Sequence, residues 1–389
     1  MRWKLRTCMT ALLAGAIALP ALAERFPRPL PTEEVGRSET LPEKYPASWV
    51  FVNDAYYTSI IDERGVIIDT AAESRNLKGQ FSAAQFGAIM PSMSRGEIYV
   101  AETFYSRGSR GDRTDVLTIW DTKTLAPKGE ILLPGGKRSQ AASIKNSLQL
   151  TNQSKWALVF NFTPAASVTI VDLDRKAVLA DVDVPGCSEI YPTGERGFSS
   201  LCADGTIASV VLDEKGQAIR TVSSKPFNDI DNDPMFMMPT MVGRTAWFVT
   251  FMGNFKAVDL SGDVARVAGG FSIKKPEGGS PEWRPGGYQL IASDPAGLLY
   301  VLVNPFGRNG SHKDGGKTIW VVDPMKKALI RTIELANHAM SIEVTHEIKP
   351  ALVAARADGG LDVYDTATGN LTRSILGVSM APSTMTAVQ

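Results

Sequence analysis

The chain has few of the side chains that usually carry out catalysis or bind metals. Its 389 residues include three histidines and three cysteines. It contains no Cys-x-x-Cys-His haem attachment and no His-x-x-x-His pair, and no P-loop, nucleophile elbow or dinucleotide fingerprint in a suitable setting. We therefore expect no metal or other cofactor in this chain and no catalytic residue of its own.

Two further absences narrow the class of partner. Lysine plus arginine and aspartate plus glutamate are equal, at 41 each, so the basic surplus typical of nucleic-acid or anionic-lipid binding is missing. After residue 23 no apolar run is long enough to cross a bilayer. We therefore predict neither a nucleic-acid partner nor a membrane association.

The first 23 residues have the form of a secretory signal peptide. Three basic residues occur within the first six positions, an apolar run covers 9–19, and Ala21-Leu22-Ala23 fits a cleavage site. The mature chain then begins near Glu24, outside the cytoplasm, and we predict a periplasmic location. Residues 24–46 are rich in Pro, Glu and Arg without a strand pattern, so we interpret them as an exposed arm.

Export determines how the cysteines are interpreted. Cys8 falls within the signal peptide, which leaves Cys187 and Cys202. Two cysteines in an oxidising compartment most often pair, whereas two thiols without a nearby histidine make a poor metal site. We predict a disulfide between Cys187 and Cys202, which in the chain-entropy model contributes roughly 3 kcal/mol.

One phrase recurs seven times: a short apolar strand that ends in Asp, a polar or glycine-bearing turn, and a second apolar strand. Successive aspartates are 41 to 64 residues apart, and that period with one hairpin per unit is typical of a β-propeller. Asp side chains bond the backbone of their own turn, so we assign these residues a structural role. They are Asp62, Asp121, Asp172, Asp213, Asp259, Asp323 and Asp365.

Another short strand, often with an aromatic residue, precedes almost every one of these phrases. Trp49–Val52 and Trp156–Phe160 are examples, and Gly197–Leu201 is the weakest member. β-Branched and aromatic residues favour sheets. Together the two phrases predict an all-β fold, a seven-bladed β-propeller over residues 47–389 with about four strands in each blade.

Two segments interrupt the strand pattern, and we interpret both as loops. Residues 102–115 carry Arg107, Arg110 and Arg113, which can form charge-assisted hydrogen bonds. Residues 283–289 begin with Trp283 and Arg284, and Trp, Tyr and Arg are the residues that anchor interfaces. These five residues are candidate interface residues, while a solvated hairpin and an aromatic plug of the core stay open as alternatives.

Several segments of the mature chain carry a family resemblance when they are taken in order. An Arg-Gly-x-Arg-x-Asp pattern begins at Arg110 and leads to the strand end at Asp121. The full set comprises residues 99–125, Pro164–Ser167, the Cys187/Cys202 pair with Gly186 and Asp204-Gly205, Trp283–Gly287 and Gly310–Lys313. This set resembles the heavy subunit of the tryptophan tryptophylquinone-dependent amine dehydrogenases. Asp233–Phe236 and Gly310–Lys313 resemble the aromatic amine branch more than the methylamine branch.

The resemblance implies a seven-bladed heavy subunit, which agrees with the number of repeats. It also implies a periplasmic enzyme of two heavy and two light subunits. The light subunit carries tryptophan tryptophylquinone, made from two of its own tryptophans, and oxidises a primary amine to an aldehyde and ammonia. Electrons then pass to a cupredoxin, an amicyanin- or azurin-like blue-copper protein. On this interpretation the present chain holds no cofactor, scaffolds the light subunit and helps to shape the substrate channel.

The resemblance further implies a residue at the mouth of the substrate channel. The family places a heavy-subunit phenylalanine shortly before the strand that leads into the arginine-rich segment, and Phe86 occupies that place here. Phe81 is the neighbouring alternative for this role. A further alternative is that Phe86 packs in the core of a blade and has a structural role. The flanking residues are small or polar, which is typical of a loop.

Two other functional classes stay open. A stand-alone periplasmic propeller could act as a binding or interaction module, because this fold hosts many functions. A self-contained propeller enzyme, such as a lactonase or a quinone-cofactor dehydrogenase, would need inward-facing acidic or histidine ligands on several blades, and the supply of three histidines argues against it. A quinone-bearing light chain that co-purifies would favour the subunit hypothesis.

Overall fold

The computed structural model describes residues 40–56, 59–139, 144–274 and 282–389. These residues form 29 strands and four short 3-10 helices. None of the helices in this part of the chain is long and apolar enough to cross a membrane. The predicted signal peptide, residues 1–23, and residues 24–39 of the predicted arm lie outside the described residues.

The strands form seven antiparallel sheets, which are the blades of a propeller. Blade 1 contains β1 (Trp49–Asp54), β2 (Arg64–Asp69), β3 (Leu77–Ser82) and β29 (Pro382–Ala387). Blade 2 contains β4 (Ala88–Ser92), β5 (Glu97–Arg107), β6 (Arg110–Asp121) and β7 (Pro127–Leu132). Blade 3 contains β8 (Leu148–Thr151), β9 (Trp156–Asn161), β10 (Ser167–Asp172) and β11 (Ala177–Asp183). Blade 4 contains β12 (Cys187–Thr193), β13 (Gly197–Cys202), β14 (Ile207–Leu212) and β15 (Ala218–Ser223).

The remaining three blades complete the ring. Blade 5 contains β16 (Thr240–Val242), β17 (Thr245–Val249), β18 (Phe255–Asp259) and β19 (Arg266–Phe271). Blade 6 contains β20 (Arg284–Pro285), β21 (Ile291–Ser293), β22 (Leu299–Asn304), β23 (Gly316–Asp323) and β24 (Ala328–Ala339). Blade 7 contains β25 (Ser341–Val344), β26 (Ala351–Ala355), β27 (Leu361–Asp365) and β28 (Leu371–Ile375). The 3-10 helices are Ile60–Asp62, Met93–Arg95, Lys145–Ser147 and Ser311–Lys313. The predicted seven-bladed β-propeller is confirmed.

The last strand closes the ring. β29 pairs with β1 in blade 1, with Val50 opposite Ala387 and Asn53 opposite Thr384. The C-terminal segment therefore completes the sheet that the first strand begins, and blade 1 depends on both regions of the chain. Closure in this way joins the first blade to the last and limits exposed sheet edges to the outermost strands.

The middle strands of the blades carry the apolar core. β9 and β10 are buried along their whole length, whereas the outermost strand of blade 4, β15, is almost wholly exposed. Both faces of a middle strand are covered because neighbouring blades pack on it. Val50 and Val66 of blade 1, for example, share one cluster with Val353 and Leu361 of blade 7. The second strand of each repeat, which we expected to be apolar, is the outermost strand, and at β15 it lies in solvent.

The strand order gives the propeller two different ends. Because the strands of each blade are antiparallel neighbours, the connections between blades lie at the same end as the hairpins between second and third strands. We call this the upper end. The turns that follow the third strands lie at the lower end.

Six of the seven predicted Asp turns are confirmed at the lower end. Asp121, for example, accepts hydrogen bonds from the backbone amides of Lys123 and Thr124 at 3.0 and 2.8 Å. The corresponding turns hold Asp172, Asp213, Asp259, Asp323 and Asp365.

The prediction for Asp62 was wrong. This residue ends the 3-10 helix Ile60–Asp62. Asp69 has the expected role in blade 1, because β2 ends there and its side chain accepts from the amide of Ala71 at 3.0 Å. Both aspartates follow two isoleucines, so the local sequence alone did not distinguish them.

The predicted disulfide is present. Cys187 is the first residue of β12, Cys202 is the last residue of β13, and they lie opposite each other in the ladder. The bond therefore joins the first two strands of blade 4 at the upper end.

Neither of the two expected loops is a loop throughout. Residues 102–107 and 110–115 belong to β5 and β6, whose ladder runs from the pair Glu97 and Asp121 to the pair Arg107 and Arg110. Residues 284–285 form β20, which pairs with β22. The first segment was not predicted as strand because its side chains are mostly charged. A hairpin that extends into solvent lacks the apolar alternation of a core strand.

The described end of the predicted arm is also less exposed than expected. Tyr45 is 6% exposed, and its ring centroid lies 4.8 Å from that of Trp49 in β1. Its hydroxyl donates to the carbonyl of Thr122. The chain therefore packs against blades 1 and 2 before the first strand begins.

Candidate functional site

Phe86 lies on the connection between blades 1 and 2, at the upper end. It follows β3, precedes β4 and is half-buried. The backbone φ is 25° at Gln85 and 56° at Phe86, in the left-handed region that residues with a Cβ rarely adopt. Such positions cost about 1–3 kcal/mol each and persist only where the surroundings hold them. The conformation of this turn therefore depends on specific partners.

Phe81, the neighbouring alternative, has a different environment. It is 3% exposed and belongs to β3, and its ring centroid lies 5.8 Å from that of Trp120. A Cβ on Gly65 would collide with the Phe81 ring. Phe81 is therefore a core residue between blades 1 and 2, whereas Phe86 lies outside that cluster.

Two buried glutamates bind backbone amides of the Phe86 connection. Glu102 of β5 accepts from the Ala84 amide at 2.6 Å, and Glu63 accepts from the Gly87 amide at 3.2 Å. Each glutamate is 1% exposed. Gly87 is needed for the close approach, because a Cβ there would lie 2.9 Å from the Cβ of Ala83. The connection is thus folded tightly around two carboxylates.

A buried arginine from the next connection binds the carbonyls of the same turn. Arg138 follows β7 and is 4% exposed. Its Nη2 donates to the carbonyls of Gln85 and Phe86 at 2.9 and 3.0 Å. Its Nε donates to Thr103 Oγ1 at 3.2 Å. One guanidinium nitrogen thus binds two successive carbonyls of the Phe86 turn.

The arginine-rich pattern supports Arg138. Asp115 accepts hydrogen bonds from Thr103 Oγ1 at 2.6 Å and from Arg113 Nε at 2.9 Å. Arg113 Nη2 also donates to the backbone carbonyl of Arg138 at 2.7 Å. The side chain of Arg113 is 20% exposed and that of Asp115 is fully buried. The last two charged residues of the Arg-Gly-x-Arg-x-Asp pattern therefore act inside the protein.

Burial changes the protonation equilibria of this cluster. It raises the pKa of Glu63 and of Glu102 to about 7, a shift that hydrogen bonds to each carboxylate and the charge of Arg138 partly oppose. Burial also lowers the pKa of Arg138 to about 10, against the attraction of Asp115 and Glu102. At neutral pH Arg138 is therefore charged, and the two glutamates are close to their midpoints.

Arg107 and Arg110 lie at the tip of the β5–β6 hairpin and are exposed to solvent. At the same tip, the carbonyl of Gly108 accepts from Gln85 Nε2 at 3.3 Å. The structure therefore brings two of the candidate interface arginines next to the Phe86 connection. Phe104, on the same hairpin, is 41% exposed.

Arg284 lines a separate cavity of about 550 Å³ at the upper end, between blades 5 and 6. Its guanidinium carbon lies 4.5 Å from the ring centroid of Phe251, and the ring of His312 meets the same phenylalanine edge-on at 5.8 Å. Trp283 is 8% exposed and packs against Trp320 with 6.0 Å between ring centroids. Arg284 thus reaches a surface cavity, and Trp283 belongs to the core of blade 6.

The same cavity joins two segments that are distant in the sequence. Asp233–Phe236 and Gly310–Lys313 both contribute to its lining. The fold thus places these two distant segments together.

The centre of the ring holds another cavity, of about 570 Å³. Lys145 Nζ donates to Glu343 Oε2 and to the carbonyl of Met385, both at 2.8 Å. Gln289 Nε2 donates to the same carboxylate oxygen at 3.1 Å. These contacts link the 3-10 helix before blade 3, blade 7, β29 and the segment between β20 and β21 of blade 6.

The histidines occupy three unrelated places. His312 lines the cavity between blades 5 and 6, His346 lines the central cavity, and His338 belongs to β24. In the part of the chain that the structure describes, no three His, Cys, Asp or Glu side chains are grouped so as to hold a metal ion.

Arg138, Glu63 and Glu102 were not predicted as site residues. Glu102 carried a weak signal, because it directly continues the apolar strand run Ile98–Ala101, where an acidic side chain is unusual. Arg138 carried none, because it lies in a connection without periodicity and the partners of its side chain are 35 to 53 residues away.

The family model and the curated relatives that match this chain agree on one family. The family model described as "Methylamine dehydrogenase heavy chain (MADH)" matches residues 46–389. The methylamine dehydrogenase heavy chain of Methylophilus methylotrophus is 30% identical over 80% of this chain and 77% of its own length. That of Methylobacillus flagellatus is 27% identical over 96% of this chain and 95% of its own. A solved structure from Bacteroides fragilis, provisionally assigned as a 6-phosphogluconolactonase, covers 91% of this chain and 99% of that one with a TM-score of 0.56. At 13% identity it shows the fold alone.

Proposed function

Because the chain belongs to the methylamine dehydrogenase heavy chain family, we propose that it is the cofactor-free heavy subunit of a periplasmic quinoprotein amine dehydrogenase. The assembled enzyme oxidises a primary amine to an aldehyde and ammonia. The heavy subunit scaffolds the light subunit and shapes the entrance for the amine. Its own contribution to the reaction is the positioning of groups near the substrate.

The family match over the whole propeller carries this proposal. The matched residues, 46–389, begin before β1 and continue past β29, so the relationship includes all seven blades and the closing strand. A match confined to a few blades would support only the fold, because propellers host many functions. The continuous match instead supports a shared role as a heavy subunit.

The partner in this proposal is a separate light subunit that contains tryptophan tryptophylquinone. When present, the quinone accepts the two electrons that the amine loses. The complex contains two heavy and two light subunits, and a cupredoxin, amicyanin- or azurin-like, takes the electrons onward. The disulfide in blade 4 and the predicted signal peptide at residues 1–23 support the periplasm as the compartment.

We assign Phe86 to the mouth of the substrate channel. Its side chain is half-buried on an inter-blade connection. Arg138 binds the carbonyl of Phe86, and Glu63 and Glu102 bind the amides of Gly87 and Ala84 in the same connection. A fixed aromatic ring at an entrance restricts which substituents can pass. Catalytic groups are placed in the light subunit, so Phe86 acts on selectivity.

The surface proposed for the light subunit is the upper end of the propeller. Arg107 and Arg110 are exposed beside the Phe86 connection, and Arg284 reaches the cavity between blades 5 and 6. Arg113 and Trp283 lie beneath these surfaces and support them. Exposed arginines next to aromatic residues are typical of interface centres.

Co-expression with a light subunit tests the function. The heavy chain purified alone should oxidise neither methylamine nor 2-phenylethylamine in a dye-linked assay and should show no quinone absorbance. The complex with the light chain should oxidise at least one of them and should carry the absorbance. Amine oxidation by the heavy chain alone, or failure of the two chains to co-purify, would contradict the proposal. The second outcome would favour a stand-alone binding module.

A further inference from the structure

We propose that Arg138 is the positioning residue that orients Phe86 and thereby sets the amine selectivity of the enzyme. This inference rests on the proposed function, because it concerns the same channel mouth. Its structural part, the orientation of Phe86 by Arg138, can be measured separately from catalysis.

The geometry of the two carbonyls supports a positioning role. Arg138 Nη2 lies 2.9 Å from the carbonyl oxygen of Gln85 and 3.0 Å from that of Phe86. Successive carbonyls of an extended chain point in opposite directions, so a single donor cannot reach both. They converge here because the chain turns at Gln85 and Phe86, where both residues have positive φ. The guanidinium therefore holds this turn in place, and the turn determines where the Phe86 side chain points.

The orientation of Arg138 is itself fixed. Its Nε donates to Thr103 Oγ1, which donates to Asp115, and Arg113 connects Asp115 with the Arg138 carbonyl. A flexible arginine could follow a moving turn, but a fully buried one held at both its backbone and its Nε cannot. Arg113 and Asp115 of the arginine-rich pattern therefore influence the Phe86 turn through Arg138.

A second arginine in the protein offers a matched control. Arg373 Nη1 donates to two successive carbonyls, those of Ala71 and Ala72, at 2.6 and 2.5 Å. These bonds join blade 7 to a lower-end turn of blade 1, and neither alanine has positive φ. Arg373→Met therefore removes a comparable pair of bonds between blades without touching the Phe86 turn.

The first experiment measures selectivity in the complex of heavy and light subunits. The ratio of kcat/KM for 2-phenylethylamine to that for methylamine is determined for the wild type, Arg138→Met, Arg138→Lys, Phe86→Ala and Arg373→Met. We expect Arg138→Met to change the ratio roughly tenfold, the scale of a methylene-sized change in an apolar site. Arg138→Lys, which keeps the charge but offers one nitrogen, should give an intermediate change. Arg373→Met should keep the wild-type ratio.

The double variant separates positioning from a general structural effect. If Arg138 acts through Phe86, then Arg138→Met should have no further effect on the ratio in the Phe86→Ala background. An unchanged ratio in Arg138→Met, or a change that persists fully in the absence of the Phe86 ring, would overturn the inference.

A second measurement does not depend on activity. The isolated heavy subunit is labelled with 4-fluorophenylalanine, and the fluorine resonance of residue 86 is identified from its loss in Phe86→Ala. Arg138→Met and Arg138→Lys should shift or broaden this resonance, and Arg373→Met should leave it in place. If the resonance of residue 86 stays in place in a folded Arg138 variant, the positioning role is refuted. Two variants are used so that one can be compared with the wild type even if the other folds poorly. If the wild-type complex oxidises no amine, the proposed function fails, and the fluorine result still decides the structural part.

Discussion

Two phenylalanines five positions apart should respond to truncation in opposite ways. Phe81 is 3% exposed, and its ring fills the space above Gly65 and contacts Trp120. Phe81→Ala leaves a cavity in a core that cannot fully collapse, so it should lower the free energy of unfolding by about 3–5 kcal/mol. Phe86 is half-buried outside the core cluster. Phe86→Ala should therefore lower it by about 1 kcal/mol or less.

The substrate preference should show the reverse order. If the Phe86 ring borders the entrance, its removal changes the fit of amines of different width, and differences of about 1–3 kcal/mol correspond to a 10- to 200-fold change in relative kcat/KM. Phe81→Ala should leave the preference unchanged, because none of the contacts that hold the Phe86 turn involves Phe81. Urea denaturation of the heavy subunit and steady-state kinetics of the complex with methylamine, butylamine and 2-phenylethylamine provide both measurements.

Each variant is the control for the other. A large loss of stability in Phe86→Ala together with an unaltered amine preference would refute the assignment of Phe86 to the entrance. A changed preference in Phe81→Ala would show that the preference reports blade packing in general.

Three further predictions concern other parts of the molecule. Burial alone raises the pKa of Glu189 to about 8, and its Oε2 makes no hydrogen bond within the described residues. Because the folded pKa lies above the unfolded one, wild-type stability should fall relative to Glu189→Gln by about 4 kcal/mol from pH 5 to pH 9. Identical plots of unfolding free energy against pH for the two proteins would contradict this. Replacement of both Cys187 and Cys202 by Ser should lower the free energy of unfolding by about 3 kcal/mol in denaturant titrations, whereas an unchanged midpoint would show that the bond adds no stability. Truncation before Pro382 removes β29, which is mostly buried, and should abolish the single cooperative thermal transition; a truncated chain that still melts cooperatively near the wild-type temperature would show that blade 1 needs only three strands.

The blade pattern could be predicted because each unit repeats the same local physics. A β-branched or aromatic strand and an Asp that bonds its own turn occur in every blade, so an error in one unit does not change the predicted number of blades. The mistake at Asp62 shows where this fails. Ser59–Asp62 and Val66–Asp69 both end in Ile-Ile-Asp, and only the second pairs with β1. Strand pairing depends on residues that are distant in the sequence, so it cannot be inferred from these four residues alone.

The site was predicted only in part, for a related reason. The assignment of Phe86 came from the family resemblance, which was applied through the order of Phe86 and the arginine-rich segment in the sequence. Its environment depends on Glu63, Glu102 and Arg138, which come from three different places in the chain. They converge because blades 1, 2 and 3 are neighbours in the ring, so their upper-end connections lie side by side. Sequence patterns predict which residues are strands, but they do not predict which connections touch.

The same convergence explains how a loop can serve a selective function. Loops usually carry binding residues because they tolerate variation, but their mobility limits precision. In this protein the Phe86 turn has its amides bound by carboxylates of blades 1 and 2 and its carbonyls bound by an arginine that leads into blade 3. Each of these partners is buried and therefore fixed by the strands around it, so the hydrogen bonds also restrict the motion of the turn. Loss of one core side chain in blade 1 leaves these anchors in place, whereas loss of Arg138 frees two carbonyls at once. Selectivity at the upper end should therefore be more sensitive to this one arginine than to the packing of the blades.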